Sequence, residues 1–333
     1  MTLHHLRAPI AVGLCLAAGL ASNLACAGGA PTAEPSPTPA RSASARLGAI
    51  PADAVKQSPQ TDAYAPILRS SEWSEPIPLP ASINTAGTED SPFIAPDGRL
   101  YFWFTPSLSK PPEVQLTDGV TGIYAARAEG DGWAEPERVM LQDAGRLALD
   151  GCAFVEAQRL WFCTAREGLE GIHWFVARDL NGTWGEWKLA DASLPQDGQV
   201  GELHFSTDGQ LLVFHSDRPQ GAGGRDLWMA VRQADGTWSP SVNLTEVNTQ
   251  ADEGWPYLSP DGQQLWFTRT CLGSPCIYRA LRRGDRWSEP ELIIERFAGE
   301  PALDAGGNLY FVHHYLRDGV LIEADIYVAL RRD

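Results

Sequence analysis

The chain has 333 residues, and its 42 acidic side chains outnumber the 26 basic ones, which gives a formal net charge of -16 at pH 7. A protein this acidic repels a phosphate backbone, so we do not expect nucleic acid as a partner. The length suits one large repeat domain, and we expect no separate enzyme domain beside it.

Residues 1–27 have the pattern of an export signal. His4, His5 and Arg7 form a weakly basic start, and Ala8–Ala21 form an apolar run too short to span a bilayer comfortably. We therefore predict an exported protein of the periplasm or cell envelope, and we leave this segment out of the fold.

Two cleavage patterns overlap at the end of the signal. Ala25-Cys26-Ala27 fits the small-x-small pattern of ordinary signal peptidase. Leu24-Ala25-Cys26 looks like a bacterial lipobox shifted by one residue, with Asn23 where that pattern has a large aliphatic residue. Cys26 is therefore a lipidation candidate beside plain secretion. A lipid on Cys26 would anchor an outer-membrane lipoprotein without spanning the bilayer, and it is the one membrane contact we expect.

The next segment, residues 28–58, is built mainly from Ala, Pro, Ser, Thr and Gly and contains the Pro-rich stretch Pro35–Pro39. Such a segment has too little apolar surface to offset the entropy lost on ordering. We predict a disordered or semi-extended tether over residues 28–58, followed by a single domain over residues 59–333.

That domain repeats one pattern five times, most clearly at Ser91–Phe102 and Trp255–Phe267. Each copy has an apolar strand, a turn of the Asp-Gly type and a second apolar strand, and the glycine supplies the positive φ that a hairpin turn requires. A third strand and an outer strand marked by Trp complete the unit. Repeats of about 45 to 55 residues with short strands are typical of propeller blades. We predict an all-β fold, a five-bladed β-propeller of four-stranded blades.

The fifth unit ends after Asp325–Ala329 without an outer strand, whereas Trp73–Pro76, which matches the outer strand at Trp287–Pro290, precedes the first unit. We therefore predict that Trp73–Leu79 pairs with Asp325–Ala329 and closes the ring, because closure removes open sheet edges. Trp recurs at the outer-strand position of every unit, which indicates packing between blades. Three tryptophans break this repeat and are better ligand-binding candidates: Trp103, Trp174 and Trp255.

Four cysteines lie in the predicted domain. An even set at short spacing in an exported protein favours disulfides. We predict a bridge between Cys271 and Cys276, which close a short Gly- and Pro-containing loop, and a cross-strand bridge between Cys152 and Cys163, which flank a predicted hairpin. No His-Cys cluster has the spacing of a zinc site, so we predict no metal.

The turns of the Ser-Pro-Asp-Gly type and the sequence Gly-Gly-Arg-Asp-Leu-Trp at 223–228 resemble the TolB-type (WD-repeat-like) β-propeller repeat family of bacterial envelope proteins over residues 72–333. This resemblance implies a propeller. It also implies a binding or scaffolding role, because members of that family mostly serve as such modules, while others are fused to peptidase or outer-membrane domains.

Acidic residues recur where the inner strands begin, next to the funnel in which propellers commonly bind ligands. Alignment of the units on the Asp-Gly turn places Ser91, Asp150, Glu202, Trp255 and Glu300 at one equivalent position. Asp90 and Glu253 lie one or two residues earlier. The ligand-binding candidates are therefore Asp90, Asp150, Glu202, Glu253, Trp255 and Glu300.

Paired carboxylates are also what glycoside hydrolysis needs, one as an acid and one as a base or nucleophile. Five-bladed propellers with such a triad resemble arabinanase- and xylosidase-type glycoside hydrolases. In this alternative the catalytic candidates are Asp150, Glu202 and Glu300.

The leading hypothesis is an exported, monomeric propeller that binds a protein, peptide or glycan at one face without catalysis. No Gly-x-Ser-x-Gly elbow or phosphate-binding loop occurs in the sequence, so we expect no cofactor. A calcium or sodium ion held by the carboxylates in the channel is an alternative that the sequence leaves open.

Overall fold

The computed structural model describes residues 43–130 and 132–332. This part of the chain is mostly β-sheet, with helix α1 (Ala43–Ala49), the single-turn α2 (Pro112–Gln115) and a 3-10 helix (Asp191–Ser193). Within it, no helix has the length and apolar character needed to cross a membrane. The predicted export signal, Cys26 and the first half of the predicted tether lie outside the described residues.

Most strands belong to five antiparallel units that follow one another along the chain. Two short strands come first: β1 (Ile67–Leu68) and β2 (Ile77–Pro78). Unit 1 contains β3 (Thr88–Ile94), β4 (Leu100–Thr105), β5 (Gly122–Ala126), a small ribbon of β6 (Ala128–Glu129) and β7 (Gly132–Trp133), and β8 (Glu137–Arg138). Unit 2 contains β9 (Ala148–Glu156), β10 (Arg159–Arg166), β11 (His173–Asp179) and β12 (Trp184–Leu189).

Unit 3 contains β13 (Leu203–Phe205), β14 (Leu211–Ser216), β15 (Asp226–Val231) and β16 (Val242–Asn243). Unit 4 contains β17 (Glu253–Leu258), β18 (Gln264–Cys271), β19 (Ser274–Arg283), the short β20 (Arg286–Trp287) and β21 (Glu291–Glu295). Unit 5 contains β22 (Ala298–Leu303), β23 (Leu309–Arg317) and β24 (Val320–Ala329).

The two strands before unit 1 join the last two units. Ile77 on β2 lies opposite Val328 on β24, so β2 takes the outer position that unit 5 lacks in sequence. β1 pairs with β21 at the outer edge of unit 4. Trp73, just before β2, is almost fully buried and donates its indole N–H to the Gly307 carbonyl oxygen at 2.9 Å. The N-terminal segment is therefore an integral part of the sheets of units 4 and 5.

The first strands of neighbouring units lie next to each other. β3 contacts β9 and β22, and β17 contacts β13 and β22. The remaining link is made by Phe154 on β9 and Phe205 on β13, whose ring centroids are 6.0 Å apart. These contacts link the first strands of neighbouring units and bring side chains from all five units to one place.

The repeated Ser-x-Asp-Gly turn has a clear physical basis. The Ser206 hydroxyl donates to Asp208 at 2.6 Å and accepts the Leu211 backbone N–H at 2.9 Å, while Gly209 takes a φ of 67°. The turn at Ser259 repeats these hydrogen bonds. Serine, aspartate and glycine are therefore the residues that close these hairpins.

Asparagine residues link successive units in a way that we did not predict from the sequence. The Asn248 amide donates to the Leu227 carbonyl and accepts the Leu227 N–H, both at 2.8 Å. Asn84 does the same with Ile326, at 2.9 and 3.0 Å. Each asparagine precedes the first strand of one unit and binds the third strand of the unit beside it, so it fixes two units to one another.

Both predicted disulfides are present. Cys152 and Cys163 join β9 to β10 with a Cα–Cα distance of 5.4 Å, and Cys271 and Cys276 join β18 to β19 with a Cα–Cα distance of 5.9 Å.

The described part of the predicted tether is packed on the sheets, which differs from the expectation of disorder. Arg46 on α1 is 1% exposed and donates to the carbonyl oxygens of Ile83 and Ser82 at 2.9 and 2.7 Å. Lys56 forms an ion pair with Glu323 at 2.5 Å and a second one with Asp325. Composition could not reveal this docking, because a few specific polar contacts hold the segment rather than a continuous apolar face.

Candidate functional site

The first strands of four units carry a β-bulge at the same place. In each, two residues lie opposite one residue of the second strand, and the first of the two has a positive φ although it is not glycine. These residues are Ser91, Cys152, Trp255 and Glu300, with φ values of 51°, 53°, 50° and 55°. Bulges re-aim side chains, and non-glycine residues at positive φ are concentrated at functional sites.

The bulges border one cavity, which we call the mouth. It is lined by the triplets 91–93, 152–154, 202–204, 255–257 and 300–302 and by Trp174. Its volume of about 60 Å³ is enough for a few water molecules. Every unit contributes one triplet, so the mouth lies where the five first strands converge.

Two carboxyl groups, those of Asp90 and Glu300, interact at the mouth, where burial and the charge of Asp90 raise the pKa of Glu300. The Ser91 hydroxyl donates to Glu300 Oε2 at 2.5 Å, and the Ser91 backbone N–H donates to Asp90 Oδ1 at 2.9 Å. Units 1 and 5 are thus joined by an acid pair.

The third carboxyl group is that of Glu202 in unit 3. Its Oε1 lies 3.6 Å from Cys152 Sγ, and no Lys or Arg of the described residues forms an ion pair with it. The nearest cationic influence is Arg225, whose guanidinium lies 4.6 Å above the Trp255 ring. Glu202 therefore lies in the mouth without an ion-pair partner that would stabilise its charged form.

Burial sets the protonation of these three groups. It raises the pKa of Asp90 to about 6, and it raises the pKa of Glu202 to about 8, with the Asp90 charge adding to the effect on Glu202. Burial and the charges of Asp90 and Glu202 raise the pKa of Glu300 well above its usual range. At pH 7 the three groups therefore hold roughly one negative charge between them, as expected for coupled carboxyl groups.

A second set of carboxylates, those of Glu89, Asp150 and Glu253, lies two residues before the mouth position and serves the fold. Each forms an ion pair with an arginine, namely Arg46 at 3.7 Å, Arg166 at 3.2 Å and Arg269 at 2.7 Å. Each also accepts a threonine hydroxyl, and in two of the three cases that threonine lies four residues earlier. These groups have arginine and threonine partners and are not among the residues that line the mouth, although burial and the charge of Asp325 still raise the pKa of Glu89 to about 8.

The structure therefore corrects two of the predicted site positions. Asp150 was aligned with the mouth position, but Cys152 occupies it, because the unit 2 hairpin is closed by the short turn at Ala157–Gln158 and counting back from that turn overshoots by two residues. Glu253 is buried against Arg269 instead of lining the mouth. Of the six ligand-binding candidates, three line the mouth, Glu202, Trp255 and Glu300, and Asp90 joins them through Glu300.

The walls of the mouth are aromatic. Trp174 and Trp255 line it, whereas Trp103, the third predicted candidate, lies on β4 and is not among the lining residues. His204 also lines the mouth, with its ring 4.7 Å from that of Tyr257, and its Nδ1 accepts the Leu258 N–H at 3.2 Å. Burial lowers the pKa of His204 to about 3, so this ring is neutral.

No group of three or more His, Cys, Asp or Glu side chains within residues 43–130 and 132–332 is arranged to hold a metal ion. The channel ion that the sequence left open therefore has no ready ligand set in this part of the chain.

No family model and no curated protein matches this chain. Among solved structures, a thermostable family-43 glycoside hydrolase is 11% identical, with a TM-score of 0.46 over 73% of this chain and 94% of that one.

Two further structures show a similar degree of likeness. The catalytic domain of a GH62 α-L-arabinofuranosidase from Coprinopsis cinerea is 13% identical, with a TM-score of 0.46 over 80% of this chain and 98% of that one. TolB from Acinetobacter baumannii is 17% identical, with a TM-score of 0.38 over 62% of this chain and 46% of that one. The similar structures thus include both glycoside hydrolases and TolB, and likeness of this degree assigns no function.

Proposed function

We propose that the protein is an exported, monomeric, five-bladed β-propeller that binds a protein, peptide or glycan at its mouth without catalysis. In this proposal the five units are the blades, and β2 closes the ring on β24. Export and a lipid anchor at Cys26 belong to the proposal and rest on the sequence of residues 1–27.

The observation that carries the proposal is the contrast between two sets of carboxylates. Glu89, Asp150 and Glu253 each have an arginine partner. Glu202 and Glu300, from different units, line the mouth with no arginine or lysine partner among the described residues. Carboxyl groups that are withdrawn from water without such partners lower the stability of the folded protein. Proteins retain destabilising arrangements of this kind at functional sites, so we expect the mouth to bind a ligand.

The chemistry of the mouth indicates what it binds. A cavity of about 60 Å³ accommodates one protruding group rather than an extended ligand. Such a group is the end of a basic side chain or the hydroxyl groups on one face of a single sugar. The carboxyl groups accept hydrogen bonds from ammonium, guanidinium or hydroxyl groups. Trp174 and Trp255 line the mouth and provide an aromatic wall for a cation or a sugar face.

Titration calorimetry tests this proposal. Lys- and Arg-containing peptides and neutral oligosaccharides are titrated into the wild-type protein and into Glu202→Gln and Glu300→Gln. We expect one ligand class to bind the wild-type protein and both substitutions to weaken that binding. Glu253→Gln, the matched control outside the mouth, should bind with wild-type affinity if it is folded. Equal affinity in all four proteins would contradict the proposal.

A second candidate function is glycoside hydrolysis, and the separated protonation of two mouth carboxyls favours it. With pKa values of about 6 and about 8, Asp90 is ionised and Glu202 is largely protonated at pH 7, which are the states that a base and an acid require. In this candidate Asp90 takes the place that the sequence had given to Asp150.

Assays on aryl glycosides and arabinan separate the two functions. The catalytic candidate replaces the binding proposal if the wild-type protein hydrolyses any of these substrates and if Asp90→Asn and Glu202→Gln abolish the hydrolysis. Asp150→Asn, the control, should fold and retain the hydrolysis in that case. If binding is detected and hydrolysis is absent, the binding proposal stands.

A further inference from the structure

A disulfide sulfur forms part of the wall of the mouth. Cys152 lines the cavity from the bulge of β9, and its Sγ lies 3.6 Å from Glu202 Oε1. Its partner Cys163 lies behind it on β10 and is 3% exposed. A molecule that enters the mouth therefore meets Cys152 first, with a carboxyl group beside it.

The carboxyl group beside Cys152 bears on the main difficulty of opening a buried disulfide, which is the charge left on the departing sulfur. When a thiolate attacks one sulfur, the other leaves as a thiolate, and a bare thiolate at the position of Cys163 would be a buried, unpaired charge. Glu202 is protonated over much of the neutral range because burial raises its pKa to about 8. Its Oε1 lies 3.6 Å from Cys152 Sγ, the sulfur to which the leaving Cys163 Sγ is bonded.

We propose that the Cys152–Cys163 disulfide exchanges with thiols that enter the mouth and that Glu202 carries the proton in this exchange. The substrate class is a thiol, either a small molecule or a cysteine of a peptide. This activity goes beyond the binding role proposed above and does not depend on it.

The steps balance as follows. The incoming thiolate forms a bond to Cys152 Sγ, the bond between Cys152 and Cys163 breaks, and its electron pair stays on Cys163 Sγ, which takes the proton of Glu202. A second thiolate then attacks the incoming sulfur, and Cys152 leaves as a thiolate that is protonated from solvent through Glu202. The protein disulfide is reduced, and two thiols are oxidised to one disulfide. The reverse sequence re-forms the protein disulfide and reduces a substrate disulfide to two thiols.

The second disulfide provides an internal control. It too joins a partly exposed cysteine, Cys271, to a buried one, Cys276. The polar contacts of Cys276 Sγ are carbonyl oxygens and the Ser274 hydroxyl, with no carboxyl group among them. The two bridges thus share their pattern of exposure and differ in the acid beside the sulfur.

The experiment measures how fast reduced glutathione opens each disulfide in the folded full-length protein between pH 6 and 9. Free thiols are trapped by alkylation, and the two bridges are distinguished by peptide mass spectrometry. In the wild-type protein we expect Cys152–Cys163 to open about tenfold or more faster than Cys271–Cys276 near pH 7. In Glu202→Gln we expect this advantage to disappear.

The pH dependence separates proton transfer from simple access. The ratio of the wild-type rate to the Glu202→Gln rate should fall toward one above pH 8, where Glu202 has lost its proton. Equal rates for the two bridges in the wild-type protein, or a Gln variant as fast as wild type at every pH, would overturn the proposal. If Glu202→Gln fails to fold, Glu202→Asp, which withdraws the carboxyl group from the sulfur, must slow the opening of the first bridge alone.

Discussion

The unpaired carboxyl groups of the mouth should reduce the stability of the protein in a pH-dependent manner, and Glu202→Gln tests this directly. Because the pKa of Glu202 is raised in the folded state, the folded protein holds the proton more tightly than the unfolded chain does. The stability that this proton contributes is fully present below the unfolded pKa. It is lost as pH rises through the folded pKa of about 8.

The size of the effect follows from the pKa shift. Glu202 moves from its ordinary value of 4.5 to about 8, and each pKa unit corresponds to about 1.4 kcal/mol. The full shift would amount to about 5 kcal/mol. Because the side chain borders an open cavity, solvent screens part of this, and we expect about 2 to 3 kcal/mol. Glutamine has nearly the same shape and no charge, so the variant should escape this loss.

Urea unfolding followed by tryptophan fluorescence at pH 4.5, 7 and 9 measures the difference. We expect wild type and Glu202→Gln to have similar free energies of unfolding at pH 4.5, and the variant to be more stable by about 2 to 3 kcal/mol at pH 9. Glu253→Gln is the matched control. It leaves Arg269 without its ion-pair partner, so it should destabilise the protein at pH 7 and 9.

The reasoning fails if the difference between wild type and Glu202→Gln is the same at all three pH values. It also fails if Glu202→Gln and Glu253→Gln destabilise the protein equally at pH 9. The first result would mean that folding does not raise the pKa of Glu202, and the second that Glu202 has a stabilising partner. Either would remove the basis for the contrast between the two sets of carboxylates.

Three further substitutions test how the units are held together, each by urea unfolding at pH 7. Arg46→Ala removes a buried guanidinium and leaves Glu89 without its arginine partner, and we expect the free energy of unfolding to fall by about 3 to 5 kcal/mol. Arg46→Lys should have a stability between those of the wild-type protein and Arg46→Ala. Trp73→Ala empties the space next to Trp266 and should cost about 3 to 5 kcal/mol, whereas a change at the exposed Ile77 should cost little. Asn248→Ala leaves the Leu227 N–H without its partner, while the Leu227 carbonyl keeps the Leu244 N–H, and should cost about 1 to 2 kcal/mol.

The units of the fold could be predicted from the sequence because each of their signals is local. The turn at Ser259 is fixed by hydrogen bonds within six residues, and the same residue types form the same turn at Ser206. The pairing of β2 with β24 is long-range, yet it too could be predicted, since one unit lacks a strand and a matching segment stands unpaired at the other end. The docking of Arg46 gave no such signal, because nothing in its neighbourhood in the sequence indicates the carbonyl groups that it binds.

The mouth could be predicted in part. Alignment on the Asp-Gly turn placed Ser91, Glu202, Trp255 and Glu300 correctly, since each precedes the turn glycine by the same seven residues. It failed in unit 2, where the turn has no glycine. Whether a carboxylate meets an arginine depends on the strand across the sheet, so the sequence alone could not separate Glu253 from the carboxyl groups of the mouth.

The residue just before the mouth position shows why unit 1 differs from the others. Units 2 to 5 have glycine there, and the space beside it is filled: a Cβ on Gly201 would lie 2.3 Å from the His215 ring, and one on Gly254 would lie 3.1 Å from the same ring. Unit 1 has Asp90 instead, opposite Trp103. Unit 1 therefore accommodates a side chain at this position, and the charge of Asp90 acts on Glu300. The acid pair thus arises where the repeat is broken, because the packing of units 3 and 4 leaves little space for a carboxyl group at the same position.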